Sequence, residues 1–503
     1  MSYVIGIDLG TSAVKAIMVS RSGMVIAEAS RVYPLYQEQP GYREQQPEDW
    51  YQGTVDAVSE LVMKTGVQVD EVEGLSFSGQ MHGLVLLDEE HQVVRPAILW
   101  NDTRTTAECR EIEEGLQDRL LDIAKNRALE GFMLPKLLWV KKHEPDRFAA
   151  AKVFLLPKDY VRYRLTGKLG IDLSDAAGTL LLDIIHREWS REIADKMGIP
   201  LELCPPILES SAEAGLLLPE AAEQMGLHDQ VRVFAGGADN ACGAIGAGII
   251  KPGTAMCSIG TSGVMLAYEE RVEADYRGRI HYFNHSVPEA YYVMGVTLAA
   301  GHSMQWFRDA FASELSFDEL LAGIERVPPG ANGLLFTPYL AGERTPHADA
   351  NIRGSFIGLD SKHTRIQAAR AVMEGITFSL RESLDMLRDS RKVIQEIVSI
   401  GGGAKNEAWL QMQADIFGVD IVRLEREQGP AMGAAILAAY GCGWFSTIEE
   451  AVSCFVKAVD RWHPDAERHA VYNGLYEIYI DIYQATKELN ERLAPYRNLK
   501  DYE

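Results

Sequence analysis

Aspartates beside glycine turns, and an imidazole set among amides, are the groups of this sequence best suited to chemistry. Asp8 stands one residue short of the turn Gly10-Thr11-Ser12, with Lys15 following. A tight turn of glycine and small hydroxyl residues presents successive N–H groups, the geometry that holds phosphate oxygens. A carboxylate beside such a cradle can place Mg2+ through water, because Mg2+ prefers oxygen ligands and keeps several waters. A plain hairpin turn with a solvated aspartate uses the same residues, and no G-x-x-x-x-G-K-[ST] motif accompanies them. Asp239 follows Gly236-Gly237-Ala238 and precedes a small-residue run, Ala241 to Gly248, which puts it at a helix start. There it serves either as a cap for the helix or as a base that accepts the proton of an attacking alcohol in phosphoryl transfer. With an ordinary carboxyl pKa of ~3.9, such a base acts by orientation and late proton acceptance.

A third cluster, Ser78-Gly79-Gln80-Met81-His82-Gly83, is followed by Trp100, Asn101, Asp102 and Arg104. Amide, imidazole, carboxylate and indole groups framed by glycine suit a polyhydroxylated ligand, whose hydroxyls need paired donors and acceptors. A histidine satisfied inside the fold is the alternative for His82. A fourth, Gly401-Gly402-Gly403, lies between an apolar run and a helical pattern from Asn406, where bare backbone can approach a base or ribose.

The elements that carry these groups follow from an internal echo. Ile5 to Ser12 and Ala255 to Ser262 are each an apolar run ending in Gly-Thr-Ser, followed by a second apolar run. Each reads as a β-hairpin, and the second lies 250 residues after the first. Strands are expected at Tyr3 to Leu9, Val14 to Val19, Val25 to Ser30, Gly74 to Phe77, Leu84 to Leu87, Tyr291 to Val296 and Glu396 to Ile400. Helices are expected around Trp50 to Val62, Ile366 to Leu387 and Asn406 to Phe417. A terminal helix carries Leu475, Ile478, Tyr479, Ile482 and Leu489 on one stripe, and its tyrosines read as packing groups. The expected class is α/β. The chain divides into residues 1–248, 249–445 and a C-terminal helical segment, 446–503, packed on the body.

Composition narrows the partners. The 503 residues are 47% hydrophobic and 24% charged, enough apolar material for more than one core. A net charge of −23 disfavours nucleic acid and anionic membrane surfaces, so an anionic ligand must be held by local N–H groups and a metal. Six scattered cysteines with no C-x-x-C pair point to reduced thiols and no structural metal. Asp8 and Lys15 interrupt the first apolar stretch, which argues against a signal peptide, and no apolar run is long enough to span a bilayer. A cytoplasmic protein is expected.

Taken in order, these clusters resemble the FGGY carbohydrate kinases of the actin-like ATPase superfamily. The likeness also rests on Ala97 to Asp102, Leu156-Pro157-Lys158-Asp159-Tyr160, Ser174 to Thr179 and Tyr339 to Pro346, and so spans most of the chain. It implies two actin-like, ribonuclease H-like domains around a catalytic cleft: an N-terminal one for the sugar and a C-terminal one for the nucleotide. The implied activity is ATP-dependent phosphorylation of a ketopentose, above all D-xylulose at its 5-hydroxyl. Gluconate, L-xylulose and ribulose are the alternatives within the class, and a filament or chaperone-type ATPase is the alternative outside it. Carried over by the resemblance, Asp239 is the base, and Asn240, Met81, His82 and Trp100 surround the sugar. Asp8 organises Mg2+, while Thr11, Ser12 and Lys15 face the transferring phosphate. Gly260, Thr261, Gly301, Gln305, Gly402, Gly403 and Asn406 hold ATP. Relatives are often dimers, which makes a homodimer the assembly to test. Two positions depart from the family signatures: Met133, three residues before Lys136, and Ala368, ahead of Ala371-Val372-Met373-Glu374. Neither is among the residues assigned to chemistry.

Overall fold

A computed structural model describes residues 2–271, 275–390 and 392–497. Two seven-stranded mixed sheets form its frame. In the first, the hairpin Tyr3–Leu9/Ala13–Ser20 is extended on one side by Val25–Val32 and on the other by the parallel strand Val72–Gly79, then Arg232–Phe234 and Glu213–Leu216, while the short strand Gly237–Ala238 also pairs with Val72–Gly79. In the second, the hairpin Thr254–Ile259/Gly263–Glu269 is extended by Tyr291–Thr297 and His281–Asn284 on one side. Glu396–Gly401, Asp420–Leu424 and Ala458–Trp462 extend it on the other. Each first strand therefore has an antiparallel neighbour and a parallel one. Such central strands are buried on both faces, which is why Tyr3–Leu9 reads as a nearly unbroken apolar run.

The echo between the halves extends to register. Asp8 pairs with Lys15 across the first hairpin and with Ser78 on the parallel strand. Ser258, at the matching place, pairs with Val264 and Ile400. One face of the first sheet is covered by the helix Pro47–Thr65, through Trp50, Val55, Val58 and Leu61. The opposite face is covered by the helix Pro430–Gly441, which comes from late in the chain. A Cβ on Gly6 would stand 2.1 Å from the carbonyl oxygen of Ala431, so glycine there permits the helix to lie on the strand. The helix opening at Asp239 packs on this same late helix.

The helix Ala466–Leu493 forms, but its buried stripe differs from expectation. Tyr472, Tyr479, Ile482 and Tyr483 are buried, whereas Ile478 and Leu489 are 56% and 52% exposed. Tyr472 and Tyr483 lie on the packed face with hydroxyls that find partners, Tyr472 donating to Glu374 and Tyr483 to Asp349. Nor is 446–503 wholly helical, since Ala458–Trp462 pairs with Asp420–Leu424 as an edge strand of the second sheet. Its two adjacent charged residues concealed the strand: Arg461 pairs with Asp420, and Asp460 with Arg423.

Candidate active site

The two hairpin tips border a cleft, and in it lies a cavity of about 270 Å³ lined by Met81, His82, Trp100, Asp239 and Asn240 from the first half and Ser262 from the second. Four sugar-site residues named from sequence, Met81, His82, Trp100 and Asn240, are thus brought together around Asp239. The second half also contributes His281, Phe283, Met294, Val296 and Arg344, which sequence reading missed. They sit on strands and a loop of the second half. The only signal was the segment around Arg344, noted for family likeness alone.

Asp239 is the first residue of the helix Asp239–Gly246, and Ala238 occupies the N-cap position without a side-chain cap, so Asp239 is not the N-cap expected as an alternative. Its Oδ1 accepts from the backbone N–H and the side-chain amide of Asn240, at 2.7 and 2.8 Å, and Oδ2 has no hydrogen-bond partner among the described residues. Burial, followed by the charge of Asp8, pushes its pKa up to about 7. The expectation of an ordinary, weakly basic carboxylate is therefore corrected, because partial burial beside a second carboxylate disfavours the ionised form. A base with a pKa near the working pH is efficient in proton transfer.

His82 sits at φ +67°, a left-handed conformation that a non-glycine residue adopts rarely and often at functional sites. Its Nδ1 lies 2.7 Å from the carbonyl oxygen of Gly178, so Nδ1 carries the proton and donates. Burial, with Lys136 nearby, lowers its pKa to about 3, and the neutral ring keeps Nε2 as an acceptor. Lys136 is itself buried, donating to the carbonyls of His82, Gly131 and Phe132, and it anchors the segment bearing His82. Met81 is held through sulfur by the Asn240 amide and the Tyr292 hydroxyl, both at 3.8 Å. Asp102 and Arg104, grouped with the sugar cluster from sequence, serve another purpose. They pair with each other, and Asp102 also accepts from the backbone of Arg43.

Asp8 is partly buried at the strand end, and its Oδ1 accepts from Ser78 Oγ at 3.0 Å. Burial raises its pKa, opposed by the Ser78 hydrogen bond and by Lys15. Among the described residues no group of three or more His, Cys, Asp or Glu is arranged to hold a metal. One carboxylate with a second close by fits a hard divalent cation that keeps most of its waters, and a cation would relieve their repulsion. The first tip is braced by side chains: Tyr33 donates to the Gly10 carbonyl, Gln45 to that of Thr11, and Trp100 to Thr11 Oγ1 at 2.9 Å. Ser12 is exposed at its crest. Lys15 is engaged by Gln428, at 2.7 Å, and by Glu28, rather than standing free beside the turn.

Gly260 and Thr261 are exposed at the second tip. Gly301 and His302 donate their backbone N–H groups to the carbonyls of Gly260 and Thr261, at 2.7 and 3.1 Å. A Cβ on Gly301 would lie 2.4 Å from the Gly260 oxygen. Gln305 donates to Asp309, and Asn406 caps the helix Glu407–Phe417 by accepting from the Trp409 N–H. Gly402 is exposed, while Gly403 packs against Ile259. Of the expected nucleotide contacts, Gly301, Gln305 and Asn406 thus already have protein partners.

The N-terminal domain model of the FGGY family of carbohydrate kinases matches residues 3–246, and the C-terminal domain model of that family matches 255–442. A xylulose kinase from Bacillus subtilis is 57% identical over 497 residues, covering 99% of this chain and all of the relative. One from Lactococcus lactis is 46% identical over 500 residues, covering 99% of this chain and all of that relative. The crystal structure of ligand-bound xylulose kinase from Lactobacillus acidophilus superposes with a TM-score of 0.93 at 27% identity, covering 98% of this chain and all of the other. With both domain models matched in order and relatives of this identity along nearly its whole length, the chain belongs to the FGGY family of carbohydrate kinases.

Proposed function

We propose that this protein transfers the γ-phosphoryl group of ATP to the 5-hydroxyl of D-xylulose, with Asp239 as the base. The observation that carries the reading is Asp239 itself, a carboxyl raised to about 7 with one oxygen unbonded, on the wall of the cavity lined by Met81, His82 and Asn240. The names of the full-length relatives supply the sugar.

In this mechanism the sugar oxygen forms its bond to the γ-phosphorus as the bond to the bridging oxygen of ADP breaks, and the hydroxyl proton passes to Asp239 Oδ2. Asn240 orients that carboxylate through two hydrogen bonds. His82, its tautomer set by Gly178, offers Nε2 to a sugar hydroxyl. Backbone N–H groups of the two tips hold the phosphates, and the half-buried wall supplied by both sheets excludes water when the halves approach. Asp8 would hold Mg2+ through water, and the ion when bound neutralises phosphate charge. Little covalent assistance is required, because positioning and charge stabilisation supply most of the acceleration. The six free cysteines fit the reducing cytoplasm as the compartment.

ADP release measured with D-xylulose, L-xylulose, D-ribulose, gluconate, glycerol and no sugar tests the reading. D-xylulose should give the largest stimulation. A larger response to another sugar would replace the substrate, and no response to any would overturn the kinase.

A further inference from the structure

The segment Leu156 to Tyr160 and, apart from the Gly178 carbonyl, the segment Ser174 to Thr179 take no part in the mechanism above, yet they meet in a cluster of buried charge. Lys158 Nζ lies 2.8, 2.7 and 3.0 Å from carboxylate oxygens of Asp159, Asp172 and Asp175, and all four side chains are inaccessible to solvent. Arg162, equally buried, pairs with Asp159 at 2.7 Å. Two cations thus face three carboxylates. Burial, reinforced by Asp172 and Asp159, pushes the Asp175 carboxyl well above its usual range in spite of Lys158.

Desolvating such a set costs much of what the pairing returns, and apolar replacements of similar volume are often as stable. Stability alone does not account for it. Its contacts lead instead to the turn before Asp239. That turn contains Gly236, at φ +79°, and Gly237, the residue type with the most backbone freedom. On its near side Arg162 donates to the Ala235 carbonyl at 3.1 Å. On its far side the Ala238 N–H donates to Ser174 Oγ at 2.9 Å. The Ser174 hydroxyl donates to Asp172 Oδ2 at 2.6 Å, which leaves its lone pairs for Ala238 and for the Ser286 hydroxyl, 3.2 Å away in the second half. The same short helix, Leu173–Ala177, has Asp172 as its N-cap and ends at Gly178, whose carbonyl sets the His82 tautomer.

We propose that the buried cluster centred on Lys158 is a positioning device, acting through Asp172 and Ser174 on the backbone at Ala238 to hold Asp239 against the sugar hydroxyl. Ser174, Asp172 and Lys158 are positioning residues, remote from substrate. The proposal rests on the reading of Asp239 as the base, and the two fail separately.

The test compares Ser174→Ala, Asp172→Asn and Asp239→Asn in the full-length enzyme. Xylulose binding is followed by intrinsic fluorescence, with Trp100 in the cavity wall, and kcat is expressed per binding site. Ser174→Ala removes one acceptor and little volume. It should lower kcat per site about tenfold, the scale at which slight misplacement of a reacting group is felt, with KM for xylulose and ATP within about twofold of wild type. Asp172→Asn, which keeps an acceptor oxygen for the Ser174 hydroxyl, should lower kcat about threefold. In both, the rise of kcat with pH should keep its midpoint, because Asp239 still titrates. A merely structural role predicts fewer binding sites and a lower melting temperature with unchanged kcat per site, and that result overturns the proposal. If Ser174→Ala does not fold, Asp172→Asn decides by the same criteria. Near-normal turnover in Asp239→Asn overturns the base, whereas abolished turnover there with normal kcat in both positioning variants overturns only the cluster's role.

Discussion

The tip Gly10-Thr11-Ser12 is braced by the side chains of Tyr33, Gln45 and Trp100, and the tip Gly260-Thr261-Ser262 by the backbone of Gly301 and His302. Two residues before its glycine the first hairpin carries Asp8, and the second carries Ser258. The same local fold therefore has different chemical content in the two halves. A carboxylate at the first strand end raises the pKa of Asp239 and suits a hydrated cation, while a serine at the second leaves a neutral cradle for phosphate oxygens. In the proposed mechanism one half supplies the acid–base and metal chemistry, and the other a grip on the nucleotide.

The contrast is broken most severely at Asp239. Asp239→Asn should lower kcat by roughly a thousandfold, within the range for loss of a general base, while calorimetric titration still detects xylulose. Its thermal stability supplies a second readout. A carboxyl whose pKa rises on folding destabilises the fold where the unfolded chain ionises it, so the variant should melt above wild type at pH 8. That margin should shrink as pH falls toward the ordinary carboxyl pKa of about 4.

Asp8→Ser makes the first hairpin resemble the second. Loss of the carboxylate should reduce kcat about a hundredfold and raise the Mg2+ concentration needed for half-maximal rate. It also removes the negative charge that raises Asp239, so the ascending limb of the kcat profile should move from about 7 to lower pH. An unmoved limb would show that burial alone sets the Asp239 pKa.

At the second tip, Gly301→Ala forces a Cβ to within 2.4 Å of the Gly260 oxygen. KM for ATP should rise about tenfold with KM for xylulose unchanged, a split expected when ground-state binding of one substrate is lost. The smallest effect belongs to Trp100→Phe, which keeps an aromatic wall but removes one hydrogen bond to Thr11. About threefold in kcat/KM is expected, the scale of one neutral hydrogen bond. An equal rise in KM for ATP in both variants would dissolve the distinction between the tips.

Much of this frame was legible in advance because it is local. The hairpins, the helix over Trp50 to Val62 and the strand Glu396 to Ile400 follow from apolar period and turn glycines, and the expected segments lie inside the observed ones. The edge strand Ala458–Trp462 escaped because its exposed faces carry ion pairs instead of an apolar stripe. The terminal helix was recognised, with Tyr479, Ile482 and the packing tyrosines on its buried face as expected, but Ile478 and Leu489 were misplaced there. Choosing between Ile478 and Tyr472 depends on what lies opposite, here Glu374 and Arg370. Arg344, His281 and Phe283 were out of reach for the same reason, since only their position across the cleft from His82 makes them part of a site.

By itself the sequence determined the two Gly-Thr-Ser hairpins, the glycine-led aspartate and the order of the clusters, all properties of neighbours along the chain. The tertiary structure decided which carboxyl has a raised pKa and what holds it. The pKa of Asp239 depends on burial and on Asp8, 231 residues away in sequence, and its backbone is fixed by Ser174 on a separate segment. Desolvation and charge proximity act through space, so the acid–base character of these groups exists only once the chain has folded around them.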